Sequence, residues 1–94
     1  MEKYQIFLIE KLEQLDKFTR AIAKVHGGNH PELHEVREVF LQMKEAIDKN
    51  PTVDVRAYLE KIDRLSSHYK LPSDACQTYA ATYAWLEEAT KLVK

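Results

Sequence analysis

Five side chains in this sequence have the chemistry to hold a transition metal or to act as a nucleophile: His26, His30, His34, His68 and the single cysteine, Cys76. Imidazole and thiolate are the donors that zinc, iron and copper take best, and three or four of them converging in a partly buried place would form a metal site. Their spacing is not that of a compact chelate. His26-x-x-x-His30 crosses Gly27-Gly28, so the two rings do not ride on one helical face, and there is no Cys-x-x-Cys pair. Whether these residues meet depends on the elements that carry them.

Those elements read as four amphipathic helices. Tyr4, Leu8, Leu12, Leu15, Phe18, Ile22 and Val25 recur at three-and-four spacing, which predicts a helix from Tyr4 to His26 that Gly27-Gly28 stops. Lys11 falls inside that stripe, its stem lying on apolar surface with the ammonium in water. Pro31 opens a second helix with His30 at the cap position, carrying Leu33, Val36, Phe40, Met43 and Ile47 until Asn50-Pro51. Thr52 caps a third, with Val55, Tyr58, Leu59, Ile62, Leu65 and Tyr69 inward, which Leu71-Pro72 interrupts. Ser73 caps a fourth, presenting Cys76, Tyr79, Ala80, Tyr83, Leu86, Thr90 and Val93 on one face. Short connections make successive helices antiparallel, so the expected architecture is an all-α, up-and-down four-helix bundle forming a single domain over residues 1–94.

In such a bundle the end of the first helix, the start of the second, the end of the third and the start of the fourth share one pole. All four histidines and Cys76 belong to those segments, so their scatter in sequence becomes proximity in space. Helical phase then sorts them. His26 follows Ile22 on the apolar face, Cys76 falls on the inward face of the fourth helix, and His30 sits in a loop free to turn over the bundle end. These three are the candidate metal ligands, with Glu32, Asp74 and His68 as additions. His34 and Glu38 lie away from their stripe and face solvent, and His68 is at an edge. A plain packing role remains open for the same residues, with His26 bonded to a backbone carbonyl, His30 capping a helix and Cys76 filling space. A thiol in the first turn of a helix is also drawn toward thiolate by the helix dipole, which opens a redox-sensing role for Cys76. Tyr69, Tyr79 and Tyr83 near the same pole serve either as core with polar tips or as hydrogen-bond donors to a metal-bound ligand.

Composition narrows the function classes. Fourteen basic residues against fifteen acidic ones leave a net charge of −1 with the signs interleaved, which argues against nucleic acid or an anionic membrane as partner. Glu2, Lys3, Glu10 and Lys11 break up the apolar amino terminus, so neither a signal peptide nor a membrane span is expected, and one unpaired cysteine suits the reducing cytoplasm. No Ser-His-Asp order, phosphate-cradling glycine loop or close pair of inward carboxylates supports hydrolase, kinase or glycosidase chemistry.

The run Ala23-Lys24-Val25-His26-Gly27-Gly28-Asn29-His30-Pro31-Glu32-Leu33, with Glu35-Val36, resembles a stretch of the iron–sulfur cluster repair di-iron proteins. Pro72-Ser73-Asp74-Ala75-Cys76-Gln77-Thr78-Tyr79-Ala80-Ala81, with Tyr83, is similar to short bacterial members of that family, so the resemblance spans most of the chain. It implies a hemerythrin-like four-helix bundle, a cytoplasmic protein, iron held between the helices, and a role in restoring iron–sulfur clusters damaged by oxidative or nitrosative stress, with iron–sulfur proteins as partners. Longer members carry a His-Met-x-Lys-Glu-Glu segment whose His-x-x-x-Glu supplies iron ligands. This chain reads Leu41-Gln42-Met43-Lys44-Glu45-Ala46 there, which speaks against their carboxylate-bridged di-iron centre. The competing expectation is a non-catalytic helical module that binds a partner protein or forms a homodimer through an apolar strip, because a chain this short gains from closing its core on a second copy.

Overall fold

Four α-helices build the computed structural model, which describes residues 1–93: α1 (Lys3–His26), α2 (Glu32–Lys49), α3 (Arg56–Leu65) and α4 (Gln77–Val93). Each helix packs on the next and α4 closes back on α1, giving the all-α four-helix bundle that the periodicity predicts. At 1.5 Å per residue, the 24 residues of α1 account for the 36 Å long axis of the molecule.

The core follows the apolar stripes. Leu8, Leu15 and Ile22 of α1 meet Leu33, Phe40 and Met43 of α2, Leu59 and Ile62 of α3, and Tyr79 and Leu86 of α4, all buried. Burial of each such side chain is worth about 1.5–3 kcal/mol. Val25, expected on the inward stripe, is 72% exposed, since the buried face of this last stretch runs through Ile22, Ala23, His26 and Gly27 and leaves Val25 on the other side. Lys11 rests its ammonium 4.7 Å from the centre of the Trp85 ring, which itself stacks on Phe18, so the stem covers apolar surface and the charge adds a cation–π contact.

The largest departure from the sequence reading is at α3. It starts not at Thr52 but after Val55, because Asp54 Oδ1 accepts the Arg56 backbone N–H at 3.0 Å and the Tyr4 hydroxyl at 3.2 Å. It ends at Leu65, not Tyr69. Ser67, His68 and Tyr69 adopt φ of 54°, 61° and 61° in succession, a left-handed stretch that costs side-chain-bearing residues roughly 1–2 kcal/mol each. Hydrogen bonds hold it in place. The His68 N–H donates to the Asp63 carbonyl at 2.8 Å, the Tyr69 N–H donates to Ser66 Oγ at 2.9 Å, and the Tyr69 and Thr90 hydroxyls meet at 2.7 Å. The reversal returns the Tyr69 ring to the core and throws His68 outward.

The start of α4 is also later than predicted. Ser73 does not cap the helix; the Cys76 carbonyl accepts the Ala80 N–H at 3.0 Å, which puts Cys76 at the cap position one residue before Gln77. Among the described residues, no helix is long and apolar enough to cross a membrane.

Candidate functional site

The pole formed by the end of α1, the start of α2 and the loop between α3 and α4 gathers two pairs of side chains. His26 is the last residue of α1, and Gly27 follows it with its N–H bonded to the Ala23 carbonyl at 3.0 Å. That stop leaves the imidazole projecting past the helix end. Its Nε2 lies 3.4 Å from the Cys76 sulfur, across 50 residues of sequence. Cys76 does not point inward as the α4 periodicity suggested; it is exposed, because the helix begins after it.

The second pair is His30 with Asp74. His30 Nε2 lies 2.9 Å from Asp74 Oδ1 and 3.2 Å from Oδ2. The bond to His30 holds the Asp74 carboxyl below the usual carboxylate range, and the charge of His26 acts weakly in the same direction. His30 is not the helix cap, a place Pro31 takes, although its carbonyl accepts the Leu33 N–H at 3.0 Å. Its other ring nitrogen, Nδ1, faces Glu32 Oε2 at 3.9 Å.

Tyr79 sits beneath both pairs. Its ring centre is 5.1 Å from that of His26 and 5.9 Å from that of His30, each edge to face, a geometry favoured by the ring quadrupole. One turn deeper, Tyr83 continues the stack at 5.0 Å, and Tyr69 meets Tyr83 at 5.8 Å. Tyr79 is 0% and Tyr83 3% exposed, yet neither hydroxyl has a hydrogen-bond partner. Burial pushes both phenols above the ordinary tyrosine range; the neighbouring Tyr79 hydroxyl adds to the rise in Tyr83, while Tyr83 opposes it in Tyr79, and the Glu32 carboxylate adds a smaller push to each. A shallow cavity of about 160 Å³ lies on the outer side of His30, lined by His30, Glu32, Ser66, Ser67, Lys70 and Pro72.

The remaining histidines stay outside. His68, counted at the edge of the pole, has its side chain 82% exposed and bound to Asp63 at 3.1 Å, a consequence of the left-handed turn. His34 and Glu38 are exposed, as their helical phase requires, and the His34 ring lies against Gly27. His26, His30 and Cys76 thus share a pole without forming one ligand set, since His30 is committed to Asp74. Among the described residues no three His, Cys, Asp or Glu side chains come together as a metal centre.

A buried carboxylate-bridged di-iron centre does not fit this interior. Among the described residues no histidine, aspartate or glutamate is buried, and Met43, from the segment where such ligands were sought, is packed in the core. Aspartate pairing with His30 was anticipated only as an accessory. Tyr79 and Tyr83 were expected near this pole, either as core with polar tips or as donors to a metal-bound ligand; the full burial of their hydroxyls is set by packing.

The chain is 24% identical over 114 residues to the iron–sulfur cluster repair protein ScdA of Staphylococcus haemolyticus. The two are distant relatives. The match takes in 86% of this chain and 51% of that protein, so the chain spans about half the length of the curated relative it matches. No family model matches the chain, and no solved structure matches it.

Proposed function

We propose that this chain is an accessory protein in the repair of stress-damaged iron–sulfur clusters, handling iron at the exposed pole through Cys76 and His26. The observation that carries the reading is the 3.4 Å approach of an imidazole nitrogen to an exposed thiol, in a chain distantly related to a repair protein. A soft sulfur and an imidazole suit iron. Two protein donors leave the other positions of a four-coordinate ion open to sulfide or client thiolates, so the ion can pass on rather than stay. The thiol proton leaves to solvent as the sulfur binds, and His30, tied to Asp74, becomes a third donor only when that pair opens.

The test is reconstitution of an oxidant-damaged [4Fe–4S] client protein with ferrous iron, followed by the return of cluster absorbance. The wild-type chain speeds recovery, and the His26→Ala/Cys76→Ala double variant does not. Equal recovery with both overturns the reading.

A second reading, a self-associating helical module, draws on Ile6 and Ile9, which are exposed one turn apart on α1. A concentration-dependent dimer in sedimentation that Ile6→Lys/Ile9→Glu abolishes would favour it.

A further inference from the structure

Nε2 of His26 and Sγ of Cys76 are separated by nearly the distance that two ligands of one tetrahedral ion require. Bonds of about 2.0–2.1 Å to nitrogen and about 2.3 Å to sulfur, at a tetrahedral angle, place the two ligand atoms about 3.5–3.6 Å from each other; here they are 3.4 Å apart. Packing holds the ring in that position, since the His26 imidazole lies edge-on to the buried ring of Tyr79 at 5.1 Å. The chain itself supplies only this half of a coordination sphere. His30 Nε2 is bonded to Asp74 at 2.9 Å, His68 is turned to solvent and bound to Asp63, and among the described residues no third His, Cys, Asp or Glu joins the pair. The pair is also open. Cys76 and its neighbours Ser73, Asp74 and Gln77 are exposed, as are Gly28 and Asn29 beyond His26, so the surface around the sulfur is one that another molecule can reach.

We propose that two copies of this chain hold one divalent metal ion between them, each contributing Cys76 Sγ and His26 Nε2. A two-fold axis through the ion generates the missing two ligands from the two already in place, because an isologous contact presents the same patch from both sides. The result is a closed sphere of two thiolates and two imidazoles, a tetrahedral set well suited to divalent ions such as zinc. Charge favours the pairing. Two thiolates neutralise a divalent ion, whereas one thiolate leaves it with a net positive charge. The chain's net charge of −1 sets little repulsion between copies. As the ion binds, both S–H bonds break, the two protons leave to water, four metal–ligand bonds form and no electron is transferred. This shared site rests on the iron-handling reading and deepens it, since it names a second copy as the molecule that completes the coordination: the ion is shielded in the dimer, and exchange of one copy for a client's thiolates passes it on.

Sedimentation velocity of the purified chain without a histidine tag, run under anaerobic reducing conditions that prevent a disulfide, tests it with cobalt(II) as the probe. The wild-type chain is monomeric in chelator and dimeric with cobalt, and its thiolate-to-cobalt and tetrahedral visible bands saturate at one ion per two chains. Cys76→Ala stays monomeric with cobalt and shows no thiolate band, and His26→Ala weakens the cobalt-dependent dimer at least tenfold. Far-UV circular dichroism of both variants is unchanged, because neither side chain belongs to the core. Ile6→Lys/Ile9→Glu dimerises with cobalt as the wild type does, since those residues lie near the start of α1 and His26 at its end. A monomer that binds one ion per chain overturns the shared site and leaves the two-donor surface reading standing. Absence of both bands and dimer overturns the shared site and the surface reading together. A dimer equally populated in chelator, or one that Ile6→Lys/Ile9→Glu abolishes, overturns the bridge in favour of association through apolar surface. A cobalt-bridged dimer in a chain inactive in cluster recovery supports the bridge and removes the repair role.

Discussion

The Cys76 sulfur lies 3.4 Å from His26 Nε2 although the residues are 50 apart in sequence, because α1 ends at the height where α4 is about to begin. The thiol is exposed and precedes the helix, so it is not buried among apolar side chains and is open to solvent.

This contact predicts a thiolate-to-metal absorption band when the apo-protein is titrated with cobalt(II). Cys76→Ser abolishes the near-ultraviolet component. His26→Ala weakens the affinity by about tenfold or more, the scale on which supporting metal-site groups act. An unchanged titration in His26→Ala would show that the imidazole does not take part.

The two buried phenols predict an unusual stability effect. Removing a buried hydroxyl without a partner relieves a desolvation cost, so Tyr83→Phe should stabilise the metal-free protein by about 1 kcal/mol. In a chain of this size that raises the thermal midpoint by roughly 4–8 °C. Tyr69→Phe, which breaks the 2.7 Å bond to Thr90, should destabilise instead. Denaturant unfolding of the two variants compares them directly, and a loss of stability in Tyr83→Phe would mean that its hydroxyl has a partner.

Gly27 and Gly28 are adjacent in sequence but not equivalent. A Cβ on Gly27 would collide with the Ala23 carbonyl and the His34 ring, whereas one on Gly28 meets nothing within 4 Å. Gly27→Ala should cost about 1–3 kcal/mol, and Gly28→Ala should stay within about 0.5 kcal/mol of wild type. Thermal melts of the two variants side by side are sufficient.

At the opposite pole, the Arg56 backbone N–H, its guanidinium and the Tyr4 hydroxyl hold Asp54 below the ordinary carboxylate range. A depressed carboxyl stabilises the fold above its unfolded value of 3.8 and loses that contribution as pH falls through the lower folded value. Asp54→Asn should therefore be less stable at neutral pH and show a flatter loss of stability below pH 4 than wild type, measured by urea unfolding across that range.

Much of the fold was legible in the chain. The three-and-four spacing of Leu8, Leu12, Leu15 and Ile22, the Gly27 stop and the Leu33-to-Ile47 stripe mark α1 and α2 nearly to the residue. A helix face is a local periodic property that a linear sequence records. The shared pole of His26, His30 and Cys76 follows from the same reading, since alternating direction is a consequence of short connections.

What the tertiary structure decided lies at the ends of α3 and α4. Nothing in the types of Ser67, His68 and Tyr69 announces three left-handed residues; the turn exists because Ser66, Asp63 and Thr90 supply its hydrogen bonds. That reversal sends His68 to solvent, and the start of α4 at Gln77 leaves Cys76 exposed ahead of the helix. Pairing was equally hidden: His30 could have joined His26 and Cys76, but its Nε2 is hydrogen-bonded to Asp74 at 2.9 Å instead. Sequence records which residues face inward along a helix, whereas the choice among competing partners at a helix end depends on distances that only packing sets.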